Sequence, residues 1–338
     1  MLYSLGFNEL GSWTTVLARH RLDVMRIMAI DATWMEYHIS PTSIAMGFAR
    51  QLLPFLEVPA WAALPAQQLH YLRASSDLPE ALCWMPNLAV LSLQADTFPK
   101  TVIKVASKLR VLILSCPSLH VLPASVGRLQ ALEELHLSDC GNLYRLPANL
   151  WQLPALQILH LDRSSICTLP RDLGQLSQLR GLSLATCTAL AALPHSLGDL
   201  TRLEYLDLFQ CHGLKALPQS FGQLSALRDL RLSCCSRLTA LPDSLGQLPA
   251  LRQLSLSGCS RLRALPDNLA GLVSLQHLDL SGCASLTTLP DSLRELAALW
   301  EVDLTGCVSL QGLRIELWIM YNRSPHFDTD WFSKLRGS

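Results

Sequence analysis

The chain has 338 residues, half of them apolar, and its 27 basic and 27 acidic residues leave no formal net charge. This balance argues against a nucleic-acid-binding protein, which usually carries a basic excess, and the length suits two ordinary domains or one elongated domain. No run of about 18 apolar residues predicts a membrane span, and eleven cysteines without a basic apolar leader indicate thiols in a reducing, cytoplasmic compartment.

Residues 1–63 do not repeat, and their apolar residues predict two helices. Ser12 is a suitable N-cap for the first helix, and Pro54 ends the second. We expect this segment to form a helical N-terminal cap that covers the first strand edge and the open core of the domain that follows. A docking or secretion segment is the alternative.

Residues 64–313 consist of a repeat with a period of 23 or 24 residues, written L-x-x-L-x-L-x-x-C-x-x-L-x-x-L-P. The first leucine of each copy of L-x-x-L-x-L is Leu132, Leu156, Leu179, Leu203, Leu227, Leu251, Leu275 and Leu299. Upstream, Leu109, Leu88 and Leu69 fit the pattern progressively less well, which gives about ten or eleven coils.

Each coil of this repeat predicts one short strand, because the alternation L-x-L places its leucines on one side of an extended chain. The proline that follows fixes a bend and prevents a second strand. The polar residue two places after the proline is expected to cap a short return helix; these residues are Asn149, Ser196, Ser220, Ser244, Asn268 and Ser292. One coil cannot bury its own leucines, so we predict a curved α/β solenoid with a parallel sheet on its concave face.

The pattern L-x-x-L-x-L-x-x-C-x-x-L-x-x-L-P resembles the leucine-rich-repeat family over residues 69–313. The sequences "LSGC" and "LPxSLGxL" resemble the cytosolic class, which includes the repeat regions of plant nucleotide-binding immune receptors and of type III effectors from plant-associated bacteria. The resemblance implies a horseshoe-shaped solenoid with short helical or 3-10 returns on the convex face. It also implies that the concave face binds another protein.

Cysteines occupy one repeat position in nearly every coil: Cys116, Cys140, Cys187, Cys211, Cys235, Cys259, Cys283 and Cys307. We name this set the cysteine ladder. A thiol that points inward after the strand is small, tolerates apolar surroundings and donates weakly to a carbonyl of the turn. Ser164 takes the position in one coil. A structural role is expected; a redox role is the alternative, because neighbouring positions lie about 5 Å apart.

The sequence contains no pattern that predicts a cofactor, a metal site or an enzyme. The ladder spaces its sulfurs one coil apart, unlike the close pairs that bind zinc, and no phosphate-binding glycine motif is present. His136 and His160 occupy equivalent outward positions, with Asp162 nearby, but no oxyanion donor accompanies them. A ubiquitin ligase or a thiol or histidine hydrolase is the alternative from the enzyme class.

The candidate binding residues lie at the outward positions of the central strands, which the leucine pattern leaves free to vary. They combine aromatic anchors with charged side chains that could orient a partner, as protein-binding surfaces do. The set is His136, His160, Asp162, Arg163, Tyr205, Asp207, Phe209, Asp229 and Arg231. A structural alternative is that Tyr205 and Phe209 only cover the aliphatic parts of their neighbours.

Residues 314–338 are predicted to form a C-terminal cap, in which Trp318, Phe327, Trp331 and Phe332 close the core. Exposed instead, they would form an adhesive patch for a partner. The sequence therefore predicts a monomeric protein-interaction module that binds a protein partner, and neither nucleic acid nor membrane. Two contexts are open, a bacterial effector in the host cytoplasm and a signalling or immune-type recognition protein, and a purely structural adaptor is a further alternative.

Overall fold

The computed structural model describes residues 71–75, 89–95, 97–98, 102, 108–137 and 139–310, the first range by its backbone alone. Within these ranges, eleven strands form one sheet, in which each strand pairs in parallel with the next along the chain. This is the predicted solenoid with one strand per coil. The predicted caps at residues 1–63 and 314–338 lie outside the described residues.

The strands shorten from five residues at the N-terminal end of the sheet to three from β5 onward. They are β1 Tyr71–Ser75, β2 Val90–Gln94, β3 Val111–Ser115, β4 Glu134–Leu137, β5 Ile158–His160, β6 Gly181–Ser183, β7 Tyr205–Asp207, β8 Asp229–Arg231, β9 Gln253–Ser255, β10 His277–Asp279 and β11 Glu301–Asp303.

The core consists of leucines stacked coil on coil. Leu203, Leu206 and Leu208 of one coil have no exposed surface, and Leu206 pairs in register with Leu182 and Leu230 of the neighbouring strands. Burying a leucine side chain contributes about 1.5–3 kcal/mol. The repeated leucine positions therefore supply the stability that no single coil could reach.

Short 3-10 helices on the opposite side of the coil begin directly after the repeat proline. They span Ala124–Arg128, Ala148–Gln152, Arg171–Gln175, His195–Asp199, Gln219–Gln223, Asp243–Gln247 and Asp291–Glu295. In each of them the proline itself is the N-cap, for example Pro218 with φ −70°. The coil of residues 251–274 has no such helix.

The predicted capping role of the polar residue two places after the proline is wrong for these helices. That residue lies inside the helix, two positions after the N-cap, and no side-chain cap bond forms. It reaches sideways instead: the Ser292 hydroxyl donates to the Asp267 carbonyl of the preceding coil at 2.7 Å, and Ser220 bonds His195 in the same way. Asn268, in the coil without a 3-10 helix, accepts from the Ala270 N–H at 3.3 Å.

Glycines on this side allow neighbouring coils to approach closely. A Cβ on Gly198 would collide with the Ser220 carbonyl oxygen, and a Cβ on Gly222 would collide with the Ser244 carbonyl oxygen. The return segments therefore pack through positions that no other residue type can occupy without moving a neighbouring backbone.

The members of the cysteine ladder are buried or nearly so, and from Cys140 onward the Sγ of each contacts a carbonyl oxygen of the preceding coil. Cys187 donates to Leu161 at 3.2 Å, and Cys259 donates to Leu232 at 3.1 Å. The Ser164 hydroxyl contacts the Cys187 sulfur at 3.2 Å. Burial raises the pKa of the Cys211, Cys259 and Cys283 thiols to about 12, so they remain protonated at neutral pH. The described cysteines form no disulfides.

From Asp139 onward, the residue just before each ladder position adopts a left-handed backbone conformation. Its φ lies between 57° and 62° at Asp139, Arg163, Thr186, Gln210 and Cys234, and between 70° and 77° at Gly258, Gly282 and Gly306. This conformation directs the N–H toward the next coil, where Thr186 donates to the Phe209 carbonyl at 2.6 Å. Glycine adopts it without strain, whereas other residues do not.

Candidate binding surface on the concave face

The central strip consists of the outward residues of β7 and β8, namely Tyr205, Asp207, Asp229 and Arg231, together with Phe209 in the turn after β7. The parallel register places Tyr205 beside Asp229 and Asp207 beside Arg231. Because side chains alternate along a strand, these residues lie on the face opposite the buried leucines. The structure therefore brings together the five central residues that the sequence singled out.

Asp207 is the centre of the contacts in this strip. Its Oδ2 accepts a hydrogen bond from the Tyr205 hydroxyl at 2.7 Å, and its Oδ1 accepts one from the Phe209 backbone N–H at 2.8 Å. Arg231 binds Asp229 at 3.2 Å and lies 4.0 Å from the Asp207 carboxylate. The Arg231 guanidinium also lies 5.3 Å from the centre of the Tyr205 ring. The aromatic and charged side chains thus hold one another in a fixed arrangement.

Asp207 lies at its outward position, yet its residue retains only 8% of its accessible surface. Tyr205 and Arg231 cover the carboxylate while remaining on the concave side themselves. Phe209 is 37% exposed and offers an apolar surface beside the charged groups. A partner that approaches this strip would meet Phe209, Tyr205 and Arg231 before it reached Asp207.

The surroundings of the central strip shift two acid–base equilibria. Burial, followed by the hydrogen bond to Asp207, raises the pKa of the Tyr205 hydroxyl well above its usual range. Burial also raises the pKa of Asp229, although the neighbouring Arg231 opposes this change. Tyr205 therefore remains a hydrogen-bond donor at any physiological pH.

The histidine pair lies two strands toward the N-terminus. His136 and His160 occupy paired positions of β4 and β5, with ring centres 4.6 Å apart in an edge-to-face arrangement. His136 Nε2 contacts the Glu134 carboxylate at 3.1 Å, while its Nδ1 is buried without a hydrogen-bond partner. His136 is only 2% exposed, so the prediction that it is a surface contact is wrong: Glu134 and His160 cover the ring.

His160, the second histidine of the pair, is half-buried and lies near Asp162, which is itself hydrogen-bonded. Burial and then the neighbouring His136 lower the pKa of His160, while the carboxylates of Asp162, Glu134 and Asp207 oppose that change. Asp162 Oδ1 accepts from the Ala185 N–H at 3.0 Å and from the Ser183 hydroxyl. Asp162 thus ties its own coil to the next.

Arg163 does not join the other candidate residues. It occupies the left-handed position before Ser164, and its guanidinium binds Asp139 of the preceding coil at 2.8 Å. Both side chains are exposed. The pair borders the concave face rather than forming part of it.

Sequence reasoning missed a row of ion pairs along the N-terminal ends of the central strands. Glu204 binds Arg180 of the preceding coil at 3.1 Å and Arg228 of the following coil at 3.3 Å. The signal was present, because these three residues follow the first leucine of consecutive coils. Ion pairs at the exposed rim contribute little to stability, but they fix the edge of the central strip.

The described part of the chain shows neither of two further features, a metal-binding cluster and a membrane-spanning helix. Among those residues, no group of three or more His, Cys, Asp or Glu side chains is arranged to hold a metal ion. The same residues contain no helix that is both long and apolar enough to cross a bilayer.

Comparison with known proteins identifies the repeat. Residues 168–262 match a family described as a leucine-rich repeat region, and residues 274–296 match the Leucine Rich Repeat family. The repeats are leucine-rich repeats. Leucine-rich-repeat solenoids present extended concave surfaces to other proteins, and the chain is accordingly a protein-interaction module.

Two solved structures of leucine-rich-repeat proteins are similar to this chain. The leucine-rich repeat domain of the type III effector XopL is 22% identical, with 92% of each chain covered and a TM-score of 0.50. A leucine-rich-repeat protein of Leptospira interrogans is 23% identical, covering 75% of this chain and 91% of that chain, with a TM-score of 0.40. No curated protein matches this chain.

Proposed function

We propose that this leucine-rich-repeat protein binds a protein partner on its concave face, with the central strip as the main contact. The observation that carries the proposal is the grouping of Tyr205, Phe209 and Arg231 around Asp207, at positions that the leucine pattern does not constrain. Aromatic and arginine side chains dominate the binding energy of many protein interfaces. Held by hydrogen bonds, they lose little conformational freedom on binding.

The central strip differs from the outward positions of β9. There the side chains are Gln253 and Ser255, which offer no apolar anchor. The remaining candidates extend the proposed contact toward β5, where His160 and Asp162 lie on the same face. The buried His136 ring packs against His160, and Arg163 borders the surface.

The experiment uses affinity capture with the full chain as bait, in wild-type form and as the double variant Tyr205→Ala, Phe209→Ala. We expect the variant to fold and to lose the captured partner, because two anchors disappear without any change to the leucine core. The matched control is Tyr144→Ala with Val273→Ala, which removes exposed apolar side chains outside the strands. Equal capture by wild type and the Tyr205, Phe209 variant would contradict the proposal.

We propose an injected bacterial effector acting in the host cytoplasm as the biological context, in preference to an immune-type recognition protein. The support is the fold shared with the XopL repeat domain and the lack of disulfides among the described cysteines, which suits a reducing compartment. The predicted caps at residues 1–63 and 314–338 and the monomeric state belong to the same proposal.

A further inference from the structure

Charge is distributed unevenly over the concave face, although the whole chain is balanced at 27 basic and 27 acidic residues. We name the carboxylates at the outward positions from β4 to β11 the acidic floor. They are Glu134, Asp162, Asp207, Asp229, Asp279, Glu301 and Asp303. From β4 to β11, Arg231 is the single arginine or lysine at these positions. The face proposed to bind a partner therefore carries a strong excess of negative charge.

Arg231 shows how the acidic floor holds a cation. Its guanidinium contacts the Asp229 carboxylate at 3.2 Å, lies 4.0 Å from Asp207 and stacks 5.3 Å from the centre of the Tyr205 ring. Two carboxylates from adjacent strands and one aromatic face thus surround one guanidinium. This combination of ion pairing and cation–π contact is favourable for arginine side chains.

The C-terminal part of the acidic floor also pairs carboxylates from adjacent strands, but the described residues place no arginine or lysine between them. Asp279 and Asp303 occupy paired positions of β10 and β11, and among the described residues no arginine or lysine forms an ion pair with either of them. Asp279 accepts hydrogen bonds from Ser281 and Ser255, and Asp303 accepts one from the Thr305 N–H. These bonds fix the two carboxylates, and within the described ranges no arginine or lysine neutralises their charges.

An exposed aromatic side chain lies beside this part of the floor, in contact with His277 of β10. Trp300 precedes β11, is 52% exposed and packs edge-to-face on His277 with ring centres 4.3 Å apart. His277 in turn binds Glu301 at 2.6 Å. Tryptophan provides the most favourable face for a cation.

We infer that the acidic floor over β10 and β11 binds arginine or lysine side chains of the partner protein, in the way that the central floor already holds Arg231. The inference rests on the proposed function, since it assigns the chemistry of the partner at the same concave face. The partner segment is basic. Its side chains pair with Asp279 and Asp303 and contact Trp300, while Phe209 and Tyr205 anchor its apolar part.

The test measures binding of two labelled ten-residue peptides to the full chain by fluorescence anisotropy at low salt. One peptide alternates glycine with arginine, and the other alternates glycine with glutamate. We expect only the arginine peptide to bind. Asp279→Asn with Asp303→Asn should weaken its binding by about fivefold or more, because each exposed ion pair contributes up to about fivefold in affinity. Asparagine retains the oxygen that accepts the Ser281 and Thr305 N–H groups.

The matched control is Asp243→Asn with Asp267→Asn, which makes the same change in net charge at exposed positions directly after two repeat prolines. It should leave binding of the arginine peptide unchanged. In the opposite sense, Arg231→Ser, which introduces the residue found at the equivalent position of β9, should strengthen binding by freeing Asp207 and Asp229.

Three results would overturn the inference: no binding of the arginine peptide, equal binding of the glutamate peptide, or equal weakening by both aspartate double variants. The last result would assign the effect to net charge alone. These outcomes are separate from those of the capture experiment. If Tyr205 and Phe209 were needed for capture but Asp279 and Asp303 had no effect on the peptide, the basic partner would be rejected while the concave binding face remained.

Discussion

The central coils, from β4 to β8, and the C-terminal coils, from β9 to β11, share the strand and the left-handed turn that follows it but have different residues at that turn. Before the ladder position, the central coils place Asp139, Arg163, Thr186, Gln210 and Cys234 in the left-handed conformation, whereas the later coils place glycine there. A residue other than glycine costs about 1–2 kcal/mol in this conformation. The leucine core and the cysteine ladder therefore impose the turn, whatever residue occupies it.

The same two regions differ on the concave face. The central coils carry the grouped Tyr205, Phe209 and Arg231, while the coils of β9 and β10 carry serines that bond one another just after the strands, such as Ser257 and Ser281 at 2.9 Å. Strained turns and varied outward residues thus occur together. The central coils depart from the regular repeat at two independent sets of positions, which is the pattern expected where binding rather than stability determines the sequence.

The largest expected effect would follow from removing a core leucine that both regions share. Leu206→Ala and Leu278→Ala should each lower the free energy of unfolding by about 3 kcal/mol, because both side chains are almost completely buried and leave a cavity. Urea unfolding measures the loss. If the regions rely on the same core, the two losses should agree. A loss confined to one variant would show that the coils do not share a common source of stability.

A smaller effect, directed at the turn itself, should follow from exchanging residues between the regions. Gly282→Thr should destabilise by about 1–2 kcal/mol, because threonine is strained at a φ of 70°. Thr186→Gly, at the equivalent position, should stabilise by less than about 1 kcal/mol, since glycine also raises the entropy of the unfolded chain. Thermal unfolding measures both changes. The control is Thr188→Gly, at a residue outside the left-handed position. Stabilisation by Gly282→Thr would refute the interpretation that the turn is strained.

The smallest effect should be acid sensitivity that is specific to the central coils. Burial lowers the pKa of His160 in the folded chain, so the unfolded chain binds more protons as the pH falls below the usual histidine pKa of 6.5. Stability from this residue is present above that pH and is lost as the pH falls toward the lowered value. His160→Gln should reduce the acid dependence of the unfolding free energy; the same slope in wild type and variant would contradict the assignment.

The sequence was sufficient to predict the strands, their inward leucines and the parallel order, because the period of 23 or 24 residues leaves only one way to stack the coils. It also placed Tyr205, Asp207 and Phe209 on the outward side. It did not predict how deeply Asp207 and His136 are covered. Register fixes the face on which a side chain lies, but its burial depends on neighbours 24 residues away and on how their side chains lean.

Two local features were missed for simpler reasons. The polar residues after the proline resemble helix caps in sequence, but the 3-10 helix starts at once after the proline, so Ser220 and Ser292 bond the preceding coil instead. The left-handed turns had a recognisable glycine only in the last three coils. Arg163 and Thr186 give no comparable signal, because neither residue type favours that conformation.

The glycines of the return segments have a consequence for the size of the partner. Gly198 and Gly222 allow the return segments of adjacent coils to pack closely, because neither residue has a side chain that would separate them. Larger side chains at these glycine positions would increase the distance between neighbouring return segments and so increase the curvature of the sheet. The curvature of the concave face is thus set in part by glycines in the return segments on the opposite side of the coils.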